Sequence, residues 1–185
     1  MKQRCFWVTD SKLYQNYHDK EWGEPVFDDA TLFEFLILET FQAGLSWITV
    51  LNKRENFRKA FDNFDYIKIA NYSEDKYESL LQDVGIIRNK LKVKSAITNA
   101  GLFMDVQKEF GSFSKFIWSY VNDKPIVNKF EKRADVPATT ALSDTISKDL
   151  KKRGFKFVGS TVMYAYMQAV GMVNDHTTDC FKYPS

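Results

Sequence analysis

Glu39 is the residue whose surroundings most clearly suggest chemistry. It follows Leu32–Leu38, an almost continuous apolar run that predicts a buried helix. An ionised carboxylate in such surroundings is unfavourable unless a partner compensates its charge. The segment continues with an amide, a glycine, an apolar side chain and an indole: Gln42, Gly44, Leu45 and Trp47. We therefore interpret Glu39 as a ligand-binding carboxylate, the alternative being a structural acid bonded to a backbone N–H or a tyrosine.

The cysteines and histidines form two pairs at opposite ends of the sequence. Cys5 and His18 lie near the beginning, and His176 and Cys180 are four residues apart near the end. Two thiolates and two imidazoles complete a tetrahedral zinc shell and leave no position for a substrate water. The pattern predicts a structural Zn²⁺ that joins the N- and C-terminal segments. The alternatives are buried cysteines with ordinary histidines, or a Cys5–Cys180 disulfide, which a reducing compartment disfavours.

Two basic clusters, each beside a glycine, indicate contacts with phosphate. In the first, Gly85 lies between apolar residues, and Arg88 and Lys90 follow it. The backbone N–H groups of such a turn and the N-terminus of the next helix can bind phosphate oxygens. Lys152 belongs to the second cluster. For either cluster alone, a solvated helix face is the alternative interpretation.

Helical signals position these residues along the whole chain. Apolar spacing, caps and glycine stops predict an all-α fold without a clear strand, in a single domain over residues 1–185. Residues 122–139 lack a period and predict a long surface loop, which suggests a functional role. The predicted helices are Lys12–Asp19, Asp28 or Asp29 to Glu39, Ser46–Phe61, Ser73–Leu81, Asn89–Phe110, Gly111–Tyr120, Ser143–Arg153 and Phe157–Val170.

Composition limits the class of protein. The chain of 185 residues has 44% hydrophobic and 27% charged residues, as expected for a globular protein with a real core. Aromatic residues reach 16%, enough to line a pocket that stacks on planar ligands. No apolar run approaches the roughly 20 residues that span a bilayer, and the charged N-terminus does not resemble a signal peptide. We expect a cytoplasmic protein without a membrane partner.

These residues together resemble the DNA-3-methyladenine glycosylase I family of bacterial alkylation-repair enzymes. The matching motifs include Tyr17-His18-Asp19, Glu21-Trp22-Gly23, Gln42–Leu51, Gly85–Arg88, Leu150–Gly159 and Asn174-Asp175-His176. The resemblance implies a helix-hairpin-helix DNA glycosylase fold, with a central helical hairpin region at about 46–110. It also implies a structural zinc held by the residues that match Cys5, His18, His176 and Cys180.

The resemblance also assigns roles around Glu39. It implies a base pocket of Glu39, Tyr17 and Trp47 with three further aromatic residues and an amide nearby: Tyr14, Trp7, Trp22 and Gln42. The Gly44-Leu45 pair resembles the wedge that fills the gap left by a flipped nucleotide. Thr40-Phe41 departs from the more polar pair expected there, which predicts altered packing behind Glu39.

The implied activity is removal of 3-methyladenine from alkylated double-stranded DNA by hydrolysis. The methylated base is a cation that leaves as a neutral molecule, so capture by aromatic faces and Glu39 matters more than acid catalysis. No lysine belongs to the aromatic set, which argues against a lyase step. Asp144 and Asp149 lie on a predicted helix, and nothing directs either toward the pocket as a water-orienting group. A zinc-stapled, non-catalytic DNA-lesion binding protein is the alternative function.

The expected partners are alkylated DNA and free 3-methyladenine as the product. We expect a monomer in the bacterial cytoplasm, associated with the nucleoid. Because phosphate contacts would carry much of the binding, affinity for DNA should fall with salt.

Overall fold

The computed structural model describes residues 2–184, and within them the chain is almost entirely helical. The prediction of an all-α fold class is confirmed at this level. The helices are α1 (Lys12–Lys20), α2 (Asp29–Gln42), α3 (Trp47–Ala60), α4 (Tyr66–Ala70), α5 (Glu74–Gln82), α6 (Lys90–Phe110), α7 (Phe113–Ser119), α8 (Ala141–Lys152) and α9 (Ser160–Ala169).

Capping side chains explain where most helices begin. Asp28, Ser73 and Asn89 accept backbone N–H groups of the first turns of α2, α5 and α6. Gly111 ends α6 in the left-handed conformation, with φ of 87°. Ser46 precedes α3 as predicted, but its hydroxyl bonds to the Thr49 hydroxyl at 2.7 Å instead of capping the backbone.

Two short strands and three short helical segments, one of them a 3₁₀ turn at Asp62–Phe64, were not predicted. Strand β1 (Ile126–Val127) lies inside the segment predicted as a loop over residues 122–139. It pairs in parallel with β2 (Val173–Asn174) near the C-terminus. A 3₁₀ turn at Arg133–Asp135 follows β1 in the predicted loop segment. Strands of two residues offer no alternation to detect, and the five residues of α4 span little more than one turn.

Helix α2 lies in the core and carries the predicted site at its C-terminal end. The Phe41 ring is fully buried and packs edge-on against Phe57, with ring centroids 4.8 Å apart. Thr40 is also buried, and its hydroxyl donates to the Ile37 carbonyl at 2.7 Å. The Thr40-Phe41 departure therefore packs into the core behind Glu39. Within residues 2–184, every helix is too short or too polar to cross a membrane.

Candidate active site and metal cluster

A cavity of about 440 Å³ collects the predicted pocket residues. Its size lies in the range of small-molecule sites, which run from about 300 to 1,000 Å³. All seven side chains predicted for the base pocket line it: Trp7, Tyr14, Tyr17, Trp22, Glu39, Gln42 and Trp47. Their individual roles stay predictions.

Three helices carry five of these side chains, and Trp7 and Trp22 flank α1. Tyr14 and Tyr17 are three residues apart on α1 and so share one face. Glu39 and Gln42 have the same spacing at the end of α2. Trp47 is the first residue of α3, directly after the turn that reverses the chain. The cavity is thus built where the end of α2 and the beginning of α3 meet the side of α1.

Two buried polar atoms in the cavity have no hydrogen-bond partner within the described chain. They are Oε2 of Glu39, an acceptor, and Nε1 of Trp47, a donor. Buried polar groups in proteins are nearly always satisfied, so this pair points to a ligand. The Glu39 side chain is only 3% exposed, and burial raises the pKa of its carboxyl from 4.5 to about 8.

Aromatic rings form a continuous wall around this acid. The ring centroids of Tyr17 and Trp47 are 5.3 Å apart, and Trp7 lies 4.9 Å from Tyr14 and 5.0 Å from Trp22. The faces of such rings carry negative electrostatic potential and attract cations. The cavity is therefore suited to a flat, positively charged ligand.

Asp175 is a second acid at the cavity that the sequence did not single out as a site residue. It is buried and accepts hydrogen bonds from Asn128 Nδ2 at 2.7 Å, Tyr164 Oη at 2.5 Å and Gln168 Nε2 at 2.8 Å. Its place beside His176 was the available signal. The other lining residues that sequence reasoning missed are Phe6, Arg133, Val136, Ala165 and Gln168.

The two acids considered from the sequence lie elsewhere. Asp144 is exposed on α8, and Asp149 accepts hydrogen bonds from Arg153 Nε at 3.0 Å and from the Tyr120 hydroxyl. Neither lines the cavity. The acids that do are Glu39 and Asp175.

The two Cys–His pairs meet in one buried cluster. The four candidate ligand atoms all lie within 4.8 Å of one another. The Sγ of Cys180 is 3.4 Å from His18 Nε2 and 3.6 Å from His176 Nδ1, and Cys5 Sγ is 3.4 Å from His176 Nδ1. Zn–S and Zn–N bonds of about 2.3 and 2.0 Å in a tetrahedron separate S from N by about 3.5 Å. The donor set could therefore hold a metal ion.

Outer hydrogen bonds orient both imidazoles toward the cluster. His18 Nδ1 is 2.8 Å from an Asp19 oxygen, and Arg4 pairs with the same carboxylate at 2.8 Å. His176 Nε2 is 3.2 Å from the Trp22 carbonyl oxygen. Because these contacts place a proton on the outer nitrogen of each ring, the inner nitrogens are left as acceptors for a cation.

Burial favours the neutral forms of Cys5 and His176 when no cation is bound. It raises the pKa of the Cys5 thiol to about 12 and lowers the pKa of His176 to about 4. A bound cation favours thiolates, so metal binding would release protons. Both cysteines are free, so the Cys5–Cys180 disulfide is not formed in this structure.

The Gly44-Leu45 turn stands at the surface beside the cavity. Gly44 has φ of 81°, a left-handed conformation that favours glycine, and Leu45 is 41% exposed. Lys92 fixes this turn from α6: its buried ammonium donates to the carbonyls of Phe41 at 2.8 Å and Ala43 at 2.6 Å. The cation thus satisfies carbonyls at the C-terminal end of α2.

The turn between α5 and α6 shares a groove with Leu45 and carries Arg88 on its wall. Gly85 donates its N–H to Asp83 Oδ1 at 2.8 Å, so this amide shapes the turn. Within the described chain, the N–H groups of residues 87, 88, 90 and 91 have no acceptor. Lys90 begins α6, so its charge lies beside those amides.

Lys152 lies at the end of α8, away from that groove. The segment after it is fastened to α6 by Asn99, whose amide exchanges hydrogen bonds with the backbone of Lys156 at 3.0 and 2.9 Å. A second, shallow groove there is lined by Lys94 and Lys156. Basic side chains therefore line two grooves beside α6, and Lys152 lines neither.

A helical protein with an acid-bearing aromatic cavity beside a Cys₂His₂ cluster and a basic helical turn has the parts expected of a base-excising DNA repair enzyme. A family model described as methyladenine glycosylase matches residues 7–183. The chain belongs to this family, as the sequence resemblance indicated.

Two curated relatives align over nearly their whole length. The DNA-3-methyladenine glycosylase 1 of Escherichia coli (strain K12) is 49% identical over 182 residues, covering 98% of this chain and 97% of the relative. The DNA-3-methyladenine glycosylase of Haemophilus influenzae is also 49% identical, over 180 residues and 97% of both chains.

Solved structures agree with the fold. A crystal structure of 3-methyladenine DNA glycosylase I superposes with a TM-score of 0.96 at 49% identity, covering 98% of this chain and 100% of the other. The Staphylococcus aureus enzyme, solved to explain its recognition of 3-methyladenine, superposes with a TM-score of 0.95 at 36% identity, covering 98% and 97%.

Proposed function

We propose that this protein is a DNA-3-methyladenine glycosylase, which removes 3-methyladenine from alkylated DNA in base-excision repair. The observation that carries the proposal is the unpartnered, buried Glu39 oxygen inside an aromatic cavity. The activity named for the relatives is the one this chemistry suits, because the cavity offers π faces and an acid whose ionised form a bound cation would stabilise.

In this proposal the base leaves the DNA stack and enters the cavity before its bond is cut. Tyr17 and Trp47 contact its faces, and Glu39 accepts hydrogen bonds from its exocyclic amine. Normal adenine offers the same amine but is neutral and well paired. Selectivity therefore rests on charge and on the weaker pairing of the damaged base.

The reaction needs little proton transfer to the leaving group. The C1′–N9 bond breaks, its electron pair neutralises the departing cation, and water adds to the sugar carbon with loss of a proton. No lysine within residues 2–184 lines the cavity, which supports hydrolysis without a Schiff-base lyase step. Glu39 acts as a recognition carboxylate in this scheme.

We propose that α5, its turn and α6 form the helix-hairpin-helix element that binds the DNA backbone. The free amides after Gly85, together with Arg88 and Lys90, would contact phosphates, and Lys152 would extend the same footprint. Gly44-Leu45 is the proposed wedge, since Leu45 is exposed and shares a groove with that turn.

We propose Zn²⁺ as the ion of the Cys₂His₂ cluster, with a structural role. Cys5, His18, His176 and Cys180 would saturate it, so it supplies a cross-link between chain segments and no open coordination site. In a single domain of residues 1–185, this would hold α1 and Trp22 against the cavity. We further expect a monomer that acts on alkylated double-stranded DNA at the bacterial nucleoid and releases free 3-methyladenine.

The deciding experiment is incubation with DNA treated with a methylating agent, followed by chromatography of released bases. We expect 3-methyladenine to be released from treated DNA and no adenine from an untreated duplex. The alternative, a zinc-stapled lesion-binding protein without catalysis, predicts binding with no released base. That result would refute the enzyme proposal.

A further inference from the structure

Residues 122–139, which we call the strap, contribute Arg133 and Val136 to the cavity lining and are anchored to the C-terminal segment. Strand β1 pairs Ile126 with Val173. The Asn128 amide donates to Asp175 at 2.7 Å, and the Phe130 carbonyl accepts the Thr178 N–H at 2.9 Å. The strap is therefore a fixed part of the site and not a detached surface loop.

Arg133 is the charged side chain of the strap that lines the cavity. It lines the cavity together with Phe6 and Val136, and its guanidinium carbon is 5.9 Å from the centre of the exposed Phe6 ring. No ion pair within residues 2–184 includes Arg133. The nearby Asp135 carboxylate instead accepts backbone N–H groups of the strap at 3.1 Å.

The unpaired Arg133 guanidinium is electrostatically unfavourable beside a site for a cationic base. Two positive charges repel, and the exposed Arg133 has no compensating anion within residues 2–184. A nucleotide flipped out of DNA changes this balance because its flanking phosphates remain at the mouth when the base enters. A phosphate there would neutralise Arg133, and guanidinium groups suit phosphate oxygens geometrically.

We propose that Arg133 binds a phosphate flanking the flipped nucleotide, which makes the strap a DNA-binding element. This inference rests on the proposed function and adds a DNA contact outside the α5–α6 turn. It gives Arg133 a role with nucleotide in DNA and none with the free base. The same charge would favour product release, because the freed base is no longer linked to a phosphate that Arg133 can bind.

The test compares Arg133→Ala with Lys132→Ala, an exposed neighbour that does not line the cavity. Affinity is measured for a duplex with a tetrahydrofuran abasic-site analogue over a series of salt concentrations. We expect Arg133→Ala to weaken binding about 5- to 20-fold at low salt and to reduce the salt slope by about 1. Lys132→Ala should change both much less, and Arg133→Lys should restore part of the loss.

Binding of free 3-methyladenine, measured by calorimetry, separates this inference from the function on which it rests. Arg133→Ala should leave that affinity unchanged or raise it. Equal losses of duplex binding in Arg133→Ala and Lys132→Ala, or unchanged duplex binding in both, would overturn the phosphate contact. Failure of the wild-type protein to bind 3-methyladenine would instead refute the proposed function. Matching melting temperatures check that each variant is folded.

Discussion

The Cys₂His₂ cluster and the aromatic cavity are neighbours that use polar atoms in opposite ways. In the cluster, Asp19 and the Trp22 carbonyl satisfy the outer nitrogens of both histidine rings. In the cavity, Glu39 and Trp47 each keep a buried polar atom without a partner in the described chain. Trp22 belongs to both regions, with its carbonyl on the cluster and its ring on the cavity.

The difference shows how the two regions divide stability and binding. Satisfied groups around a cross-linking ion lower the free energy of the folded state. Unsatisfied buried groups raise it, by about 1–3 kcal/mol each, and recover that energy when a ligand bonds to them. The segment from Trp7 to Trp22 therefore has two functions. Its contacts with the cluster fix its position, and its aromatic side chains line the cavity.

The largest expected effect comes from breaking the cluster. Cys180→Ser removes one of four donors and should lower the free energy of unfolding by at least about 3 kcal/mol, because structural zinc contributes directly to folding. Metal content by mass spectrometry and melting temperature should fall together, and a chelator should do the same to the wild-type protein. An unchanged melting temperature with full activity would contradict a structural metal ion in the cluster.

Replacing the unpaired acid should trade function for stability. Glu39→Gln should lower base excision strongly and duplex binding only slightly, because the pocket loses the acid that would ionise against a bound cation while the DNA-facing surfaces remain. Single-turnover release of 3-methyladenine and duplex affinity measure the two effects. Glu78→Gln, on the exposed side of α5, is the matched control. Equal losses in excision and binding would contradict the pocket role.

The same substitution has a defined pH dependence. Because the pKa of Glu39 is raised to about 8, the folded state holds a proton that the unfolded state releases near pH 4.5. Stability of the wild-type protein should therefore fall as pH rises from about 4.5 to 8. Glu39→Gln removes this loss and should be more stable than wild type at pH 8, on the order of a few kcal/mol. Parallel stability curves between pH 5 and 8 would show that Glu39 is already paired.

Lys92 tests whether the turn beside the cavity needs its buried cation. Lys92→Met removes the donor to the Phe41 and Ala43 carbonyls and should lower the free energy of unfolding by about 1–3 kcal/mol. The loss in kcat on duplex DNA should exceed the loss in free-base affinity, since the wedge loses its support. Lys108→Met, exposed on the same helix, is the control. Loss of free-base affinity alone would place the effect in the pocket.

The smallest expected effect belongs to the wedge. Leu45→Gly should raise the cost of flipping by about 1–2 kcal/mol, which is roughly a tenfold loss of activity on duplex DNA. Activity on single-stranded methylated DNA should change little, because no gap has to be filled. Ile67→Ala, another exposed apolar residue, serves as the control. Full duplex activity of Leu45→Gly would rule out the wedge.

The longer helices were predictable because their signals are local. Asp28, Ser73 and Asn89 mark helix starts by side-chain chemistry, and Gly111 and Gly154 mark ends by their positive φ. Strands β1 and β2 were missed because they pair across more than forty residues and are only two residues long. Their pairing is a long-range tertiary contact, and no local pattern of hydrophobic residues indicates it.

The candidate site divides in the same way. Acids in apolar runs, indoles and Cys–His pairs stand out by type, so the sequence predicted that Glu39 and Trp47 line a pocket and that the two Cys–His pairs meet. Asp175 and Arg133 lie in polar stretches, where charged residues are ordinary. Hydrogen bonds from α9 and the strap hold Asp175, and pairing of the strap with β2 anchors the segment that carries Arg133. These contacts join residues far apart in sequence.

The closure of the cluster also sets an order of events during synthesis. Cys180 Sγ lies 3.4 Å from His18 Nε2 although 162 residues separate them. At about 5–20 residues per second, a ribosome needs roughly 10–30 s to cover that interval. During that interval, the segment that carries Tyr14 and Tyr17 lacks the contact between His18 and the C-terminal Cys–His pair. The pocket therefore matures last, and a nascent chain would not withdraw bases from DNA before its translation is almost complete.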